Sequence, residues 1–303
     1  MAQPPGPHNT SDASGSFGAD LQRLVAARFA RETPDGPTPI AEVPLSDAPS
    51  PSTLGLMLGH RSCRQYSDAP LHDELLDLVL AAAFSTPSKS DLQQCSVILV
   101  DDPQRRSAIA ELIPTMPWIA EAARFLIFCA DGRRVRHIGE GHDVPFANDH
   151  LDAVLNAAGD AAMHLSSFIW AAESVGLGTC PISVIRNHIE EVAEIVELPD
   201  HVFPFAGMCV GWPQQLRRLS PRLPMSVTVH RDRYQESDTA ELIDDYDRRR
   251  AGDYQPPPNQ QVDVDRWGAA DFYGWSLEKA RMVARRERDQ LAGFLRRQGF
   301  GLD

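Results

Sequence analysis

The longest periodic segment of the chain, residues 148–175, constrains the fold more than any other stretch. Its apolar residues recur at helical intervals from Leu151 to Ala172, which predicts one long helix. The middle of this helix is unusually small, with four alanines and one glycine between Ala157 and Ala162. Because small side chains allow another helix to approach closely, the segment is either the central core helix of a domain or the seam of a dimer.

The rest of the pattern alternates helical segments with short apolar runs, which indicates a layered α/β or α+β domain. Gly176 supplies a stop for the long helix. The pattern predicts helices at 72–84, 104–123 with a break at 114–117, 186–198 and 277–297, strands at 96–100, 124–130, 205–210 and 227–230, a backbone-rich turn at 176–183 and a covering loop at 236–265.

The N-terminal region differs in composition from the rest of the chain. Residues 1–16 are rich in Pro, Gly, Ser and Asn and are expected to be disordered, whereas residues 17–31 carry an amphipathic helical pattern. We therefore divide the chain into an N-terminal extension at 1–50, a core at 51–231, and a covering loop with a C-terminal helix at 232–303.

Charge and composition exclude several classes of function. The 303 residues carry a formal net charge of -13, which argues against binding to nucleic acid or to anionic membranes. No apolar stretch approaches the length of a membrane span, and the N-terminus lacks the pattern of a signal peptide. The five cysteines have no CxxC spacing and lie mostly in apolar runs, which predicts buried thiols in a reducing cytoplasm rather than disulfides or a zinc site.

Several short motifs imitate known sites without their context. The sequence around Cys209 resembles a nucleophile elbow, but Trp212 and Pro213 follow where a helix N-terminus is needed, so we expect a buried strand residue. The histidines show no recurrent metal-ligand spacing, and we predict no metal site. Gly176 and Gly178 lack the third glycine of a dinucleotide fingerprint.

A basic loop follows the apolar run that ends at Gly59. It brings His60, Arg61, Ser62 and Arg64 within five residues. Guanidinium groups match phosphate oxygens in geometry, and a charge-assisted hydrogen bond contributes about 1.5–3 kcal/mol. The loop is thus either an anion-binding site or a solvated basic loop.

Taken in order, five motifs resemble those of the nitroreductase family, and most closely its oxygen-insensitive, NADPH-dependent nitroreductase and flavin reductase branch. The motifs are His60-Arg61-Ser62-x-Arg64, Pro87-Ser88-x-Ser90-Asp91-Leu92-Gln93, Gly176-Leu177-Gly178-Thr179, Phe205-x-Gly207-x-x-x-Gly211-Trp212-Pro213 and Pro221-Arg222-Leu223-Pro224.

This resemblance implies an α+β fold in which helices wrap a mixed, mostly antiparallel sheet, and an intertwined homodimer with one FMN in each of two interface clefts. The long helix would be the dimer seam. By the same resemblance the basic loop holds the FMN phosphate and ribityl chain, while a backbone N–H near Ser183 addresses flavin N5. The implied FMN-binding residues are His60, Arg61, Ser62 and Arg64 of the basic loop, Arg222 at the phosphate, Ser88 and Ser90 from the partner subunit, and Pro181, Ile182 and Ser183 beside the ring.

The chain departs from the pattern of that branch at three informative places. Ser220 stands where close relatives carry a phosphate-binding lysine, Ser183 stands where they carry glycine, and Asp91 stands where many carry asparagine. The first removes a cation, the second narrows the cleft, and the third adds a carboxylate near the cofactor.

The implied activity is ping-pong hydride transfer from NAD(P)H, through FMN, to a small-molecule acceptor such as a nitroaromatic, a quinone or free flavin. No acid, base or nucleophile side chain is needed, because the cofactor carries the chemistry. Two alternatives stay open: an FMN-dependent oxidase or dehydrogenase of a biosynthetic pathway, and a non-catalytic flavin-binding protein.

Overall fold

The computed structural model describes residues 53–215, 217–236 and 238–303. The extension predicted at 1–50 and the helix predicted at 17–31 lie outside these ranges. The chain divides into two units. We call Arg61–Arg217 with Glu287–Asp303 the sheet unit, and the described parts of Met1–His60 and Arg218–Arg286 the helical unit.

The elements follow one another along the chain with three short 3₁₀ turns among them, at Lys89–Asp91, Ser183–His188 and Pro258–Gln260. They are α1 (Thr53–Gly59), α2 (Asp73–Phe84), β1 (Cys95–Leu99), α3 (Pro103–Leu112), α4 (Trp118–Glu121), β2 (Arg124–Asp131), α5 (Arg133–Gly141), α6 (Leu151–Ser174), β3 (Gly178–Ile182), α7 (Ile189–Ile195), β4 (Val202–Gly211), α8 (Met225–Thr228), α9 (Thr239–Asp253), α10 (Val264–Trp267), α11 (Trp275–Val283) and α12 (Leu291–Arg297).

The four strands form one sheet in the order β1-β2-β4-β3, and every neighbouring pair is antiparallel. Alternate residues of β2 face opposite sides of the sheet, and both sides are buried, which explains why the strand is apolar throughout. The predicted α+β class with a mostly antiparallel sheet is confirmed.

The long helix α6 covers one face of the sheet. Ala157, Ala161, Phe168 and Ala172 are fully buried, and the Phe168 ring meets the Phe128 ring of β2 edge-on at 5.6 Å. The helix also packs against α2. The predicted core helix is confirmed, and the dimer seam stays a prediction.

The opposite face of the sheet is covered by α3, α4 and α7. Its core contains Phe125 and Ile127 of β2 together with Cys129, Cys180 and Cys209. The prediction of buried thiols is confirmed for all five cysteines, including Cys209 in β4. Burial raises the pKa of these thiols, that of Cys95 to about 12.

Two predictions for the middle of the chain were wrong. Residues 176–183 were expected to form a turn, but Gly178–Ile182 is a strand, because the chain turns at Gly176 with φ 87° and then pairs with β4. Residues 227–230 were expected to form a strand, but Met225–Thr228 is one helical turn that begins directly after Pro224. The β-branched residues Val227 and Thr228 produced the misleading pattern.

Two predictions for the C-terminal region were also wrong. The expected covering loop contains the 15-residue helix α9, whose few buried residues include the polar Asp247 and therefore gave no apolar period. The single helix expected at 277–297 is two helices, α11 and α12, separated by a segment in which Arg288 has φ 57°. Likewise, residues 183–188 form a 3₁₀ turn before α7 begins at Ile189, and α5 was not predicted.

In the helical unit, α9 packs against α11. The rings of Tyr246 and Trp275 meet edge-on at 5.6 Å. The buried carboxylate of Asp247 accepts hydrogen bonds from the Ser276 N–H at 3.0 Å and from the Ser276 hydroxyl, so it caps the first turn of α11. Across the described ranges, we find no helix with the length and apolarity that a membrane crossing requires.

Candidate functional site

The basic loop is fixed by its apolar residues rather than by its charged ones. The Cys63 N–H donates to the Thr179 carbonyl of β3 at 2.8 Å. Tyr66 donates its buried hydroxyl to the carbonyls of Cys63 at 2.9 Å and Cys209 at 3.3 Å. Burial raises the pKa of Tyr66 above its usual range, so this hydroxyl stays a donor. The loop therefore runs along the outer side of β3, with Arg61, Ser62 and Arg64 half-buried on it.

Gly178 is required for this close approach. A Cβ at position 178 would lie 2.6 Å from the Cβ of Cys63 and 2.8 Å from its sulfur. The Gly-x-Gly motif read from the sequence thus has two separate roles. Gly176 supplies the positive φ that ends α6, and Gly178 leaves room for the basic loop.

Arg64 connects the basic loop to the far half of β3. Its guanidinium carbon lies 5.6 Å from the ring centroid of Trp118, within the range of a cation–π contact. It also lies beside the Cys180 thiol, whose pKa is raised by burial and partly lowered again by the charge of Arg64. The structure thus brings Arg64 next to the residue that precedes Pro181. Trp118 was not predicted as a site residue.

The end of β3 presents backbone and one hydroxyl to solvent. Pro181 and Ser183 are exposed, whereas the side chain of Ile182 is 1% exposed and belongs to the core. Only the backbone of Ile182 is therefore open to a ligand. Ser183 begins a 3₁₀ turn, where the first N–H groups have no partner inside the turn.

A second cation stands beside Ser183. Arg288 donates from Nη2 to the Ser183 hydroxyl at 3.4 Å. Its Nε is buried and has no hydrogen-bond partner among the residues that the structure describes. Arg186 is close enough that Arg288 adds to the lowering of its pKa, which burial causes first. Sequence reasoning missed Arg288, because it lies 105 residues from Ser183.

The predicted Ser88 and Ser90 lie on a loop that is held by α6. The Ser88 hydroxyl accepts from the Gln93 N–H at 3.2 Å, and the Gln93 side chain donates to Asp91 at 3.0 Å. Ser90 and Asp91 have φ values of 52° and 57°. Asp91, whose carboxylate was expected near the cofactor, is thus engaged within its own loop.

The remaining predicted residues, His60 and Arg222, belong to the helical unit. The His60 N–H donates to the Met57 carbonyl at 3.4 Å and closes α1. Arg222 is exposed, and the carbonyl of the preceding Pro221 accepts a hydrogen bond from the Tyr246 hydroxyl at 3.1 Å.

The residues of the sheet unit fit FMN chemically. Arg61, Ser62 and Arg64 offer guanidinium and hydroxyl donors suited to a phosphate, and the exposed end of β3 offers backbone to a planar ring. The unpartnered Nε of Arg288 beside Ser183 supplies a further donor. Within the described ranges, no cluster of three or more His, Cys, Asp or Glu side chains is placed to hold a metal ion.

Comparison with known proteins agrees with this geometry. The model of the Nitroreductase family matches residues 57–212, which is more than half of the chain, and that of the Nitroreductase family C-terminal domain matches residues 220–303. The chain belongs to the nitroreductase family. The resemblance read from the five motifs is therefore confirmed.

Individual members of the nitroreductase family match along most of the chain. The oxygen-insensitive NADPH nitroreductase of Salmonella typhimurium is 36% identical over 82% of this chain and 98% of its own length. The FMN reductase [NAD(P)H] of Bacillus subtilis is 41% identical over 59% of this chain and 73% of its own. The solved structure of the NADPH:FMN oxidoreductase of Vibrio harveyi complexed with NAD+ gives a TM-score of 0.70 at 30% identity, covering 82% of this chain and 97% of that one.

Proposed function

We propose that this protein is an FMN-dependent oxidoreductase that transfers hydride from NAD(P)H to a small-molecule acceptor in a ping-pong cycle. The observation that carries the proposal is the hydrogen bond from Cys63 to Thr179, which lays a basic loop along the strand that ends at Ser183. Relatives named as NADPH nitroreductase, FMN reductase and NADPH-flavin oxidoreductase support it. Nitroaromatics, quinones and free flavin are the acceptor classes that we propose.

When bound, FMN supplies the hydride chemistry. The work of this chain is placement. Arg61, Ser62 and Arg64 hold the phosphate on the loop beside β3, and the backbone from Pro181 to Ser183 lines the ring. Arg288 keeps a positive charge beside Ser183, where it favours negative charge on a bound ring. The contributions of His60, Ser88, Ser90 and Arg222 stay predictions from the resemblance.

Visible spectroscopy tests the activity directly. We expect the purified protein to show flavin absorbance, or to acquire it when FMN is added, and NADPH or NADH to bleach it without oxygen. A nitroaromatic or quinone should then restore the colour. Failure to take up FMN would contradict the proposal. Bleaching by some other organic substrate alone would favour the oxidase or dehydrogenase, and flavin uptake without any turnover would favour a non-catalytic binder.

We also propose that the protein is a homodimer whose seam is the outer side of α6. Leu151, Leu155 and Met163 recur there at intervals of four or eight residues, and Leu155 is 61% exposed. Gly159 falls in the same row, with no atom within 4 Å of a Cβ built on it. Leu78 of α2, which packs beside α6, is 62% exposed. A row of exposed apolar residues of this kind marks an interaction surface.

Replacing Leu155 by glutamate is expected to convert the dimer into a monomer, because a charge would be buried in the seam. Sedimentation velocity measures the mass. Ile138→Glu is the matched control, because Ile138 of α5 is 57% exposed. An unchanged mass for Leu155→Glu, or an equal loss of dimer in both variants, would show that this side of α6 is not the seam.

The location of the protein in the cell is proposed on separate grounds. All five cysteines are buried free thiols, which suits a reducing compartment. We propose that the protein is cytoplasmic.

A further inference from the structure

Asp160 is a carboxylate buried in the middle of α6. It is 0% exposed and lies between the fully buried Ala157 and Ala161. No ion pair joins it to a cation elsewhere in the described ranges of the sheet unit. Burial of a charged group opposes folding unless hydrogen bonds replace its hydration, so an apolar residue would suit the core better. The position of Asp160 therefore calls for a compensating role.

Both oxygens of Asp160 accept hydrogen bonds from one loop. The Lys89 N–H donates to Oδ1 at 2.9 Å, and the Gln94 N–H donates to Oδ2 at 2.8 Å. An ionised carboxylate is an acceptor only, so it matches two converging N–H donors. One side chain thus holds both ends of the segment from Lys89 to Gln94.

The segment between these two ends is strained. Ser90, Asp91 and Gln93 all adopt the left-handed region, with φ of 52°, 57° and 51°. Non-glycine residues occupy this region at an energetic cost, and three of them within four positions persist only where the surroundings impose the conformation. The carboxylate of Asp160 bridges the ends of this stretch and supplies that constraint.

We infer that Asp160 is a positioning residue that fixes the conformation of the loop from Ser88 to Gln94, and thereby the placement of the Ser88 and Ser90 hydroxyls for FMN. The second part of this inference rests on the proposed function. The first part concerns the chain alone.

Other contacts hold only one end of the loop. The Arg134 guanidinium donates to the Gln93 carbonyl, and the Gln94 carbonyl accepts from the Asp131 N–H at 2.9 Å. The contact with Asp160 is the anchor at Lys89. In Asp160→Asn the side chain keeps its shape and one acceptor oxygen, but its NH₂ group opposes an N–H donor. Asp160→Ala removes both acceptors.

Cleavage by a lysine-specific protease reports on this loop without any cofactor. Lys89 and Lys279 are the only lysines of the chain. Cutting after Lys89 requires the loop to open, and Lys279 in α11 is an internal reference. Because a hydrogen bond to a charged group contributes strongly, we expect Asp160→Asn to speed native-state cleavage at Lys89 by about tenfold to a hundredfold relative to Lys279. Asp160→Ala should exceed it.

Ala161→Gly is the matched control, because it weakens the same buried stretch of α6 without touching the loop. It should raise cleavage at the two lysines together. An unchanged ratio in Asp160→Asn, or an equal change of that ratio in Ala161→Gly, would overturn the inference.

The ligand part is tested on the FMN-loaded protein. We expect Asp160→Asn to raise the FMN dissociation constant, or the KM for the acceptor, by about tenfold while kcat per bound flavin is retained. Unchanged constants together with faster cleavage would refute the positioning of the serines. If wild type itself takes up no FMN, the proposed function fails, and the protease ratio still decides the role of Asp160.

Discussion

Replacing Gly178 by alanine is expected to push the basic loop away from β3 and to weaken FMN binding by at least about tenfold. The new Cβ would lie 2.6 Å from the Cys63 Cβ, and the Pro213 Cβ at 3.4 Å limits movement in another direction. Overpacking of this kind costs about 1–3 kcal/mol. The displacement also breaks the bond from Cys63 to Thr179, which sets the height of Arg61 and Arg64 along the strand.

Titration with FMN and urea unfolding of the apo protein measure the two effects separately. Gly141→Ala is the matched control, because no atom lies within 4 Å of a Cβ at that position. The double variant Cys63→Gly with Gly178→Ala moves the methyl group across the contact and should recover part of the affinity. Wild-type FMN affinity in Gly178→Ala would show that the loop does not depend on this contact.

The parts of the fold that could be predicted are those in which apolar period and burial coincide. The helix α6 and strands β1, β2 and β4 fill the core on one or both sides, so their sequence pattern is dictated by packing. Strand β3 failed because its glycines serve the approach of the basic loop and mask its buried residues. Helix α9 failed because a carboxylate, Asp247, occupies a buried position.

The site was predictable in its charged residues and not in their supports. Arginines beside a serine in one loop indicate anion binding by their chemistry alone. Trp118, Arg288 and Asp160 act through contacts between segments that are distant in sequence. Asp160 alone carried a readable signal, because it is the one charged residue within the small apolar stretch from Ala157 to Ala162.

Replacing Arg64 by alanine is expected to weaken FMN binding by about 1.5–3 kcal/mol, roughly tenfold to a hundredfold in the dissociation constant. The same loss is expected for Arg61→Ala. If both guanidiniums contact one phosphate, the two losses will not add, because the remaining arginine and the phosphate rearrange together. A double-mutant cycle measured by FMN titration gives this coupling.

Riboflavin separates a phosphate contact from a structural effect. It lacks the phosphate but keeps the ring and the ribityl chain, so its affinity should hardly change in Arg64→Ala if Arg64 binds the phosphate. Arg64 also contacts the Trp118 ring, and loss of that contact would weaken both ligands alike. Arg231→Ala, at an exposed arginine of the helical unit, controls for the loss of one positive charge. Equal losses for FMN and riboflavin in Arg64→Ala would assign Arg64 to the support of the strand rather than to the phosphate.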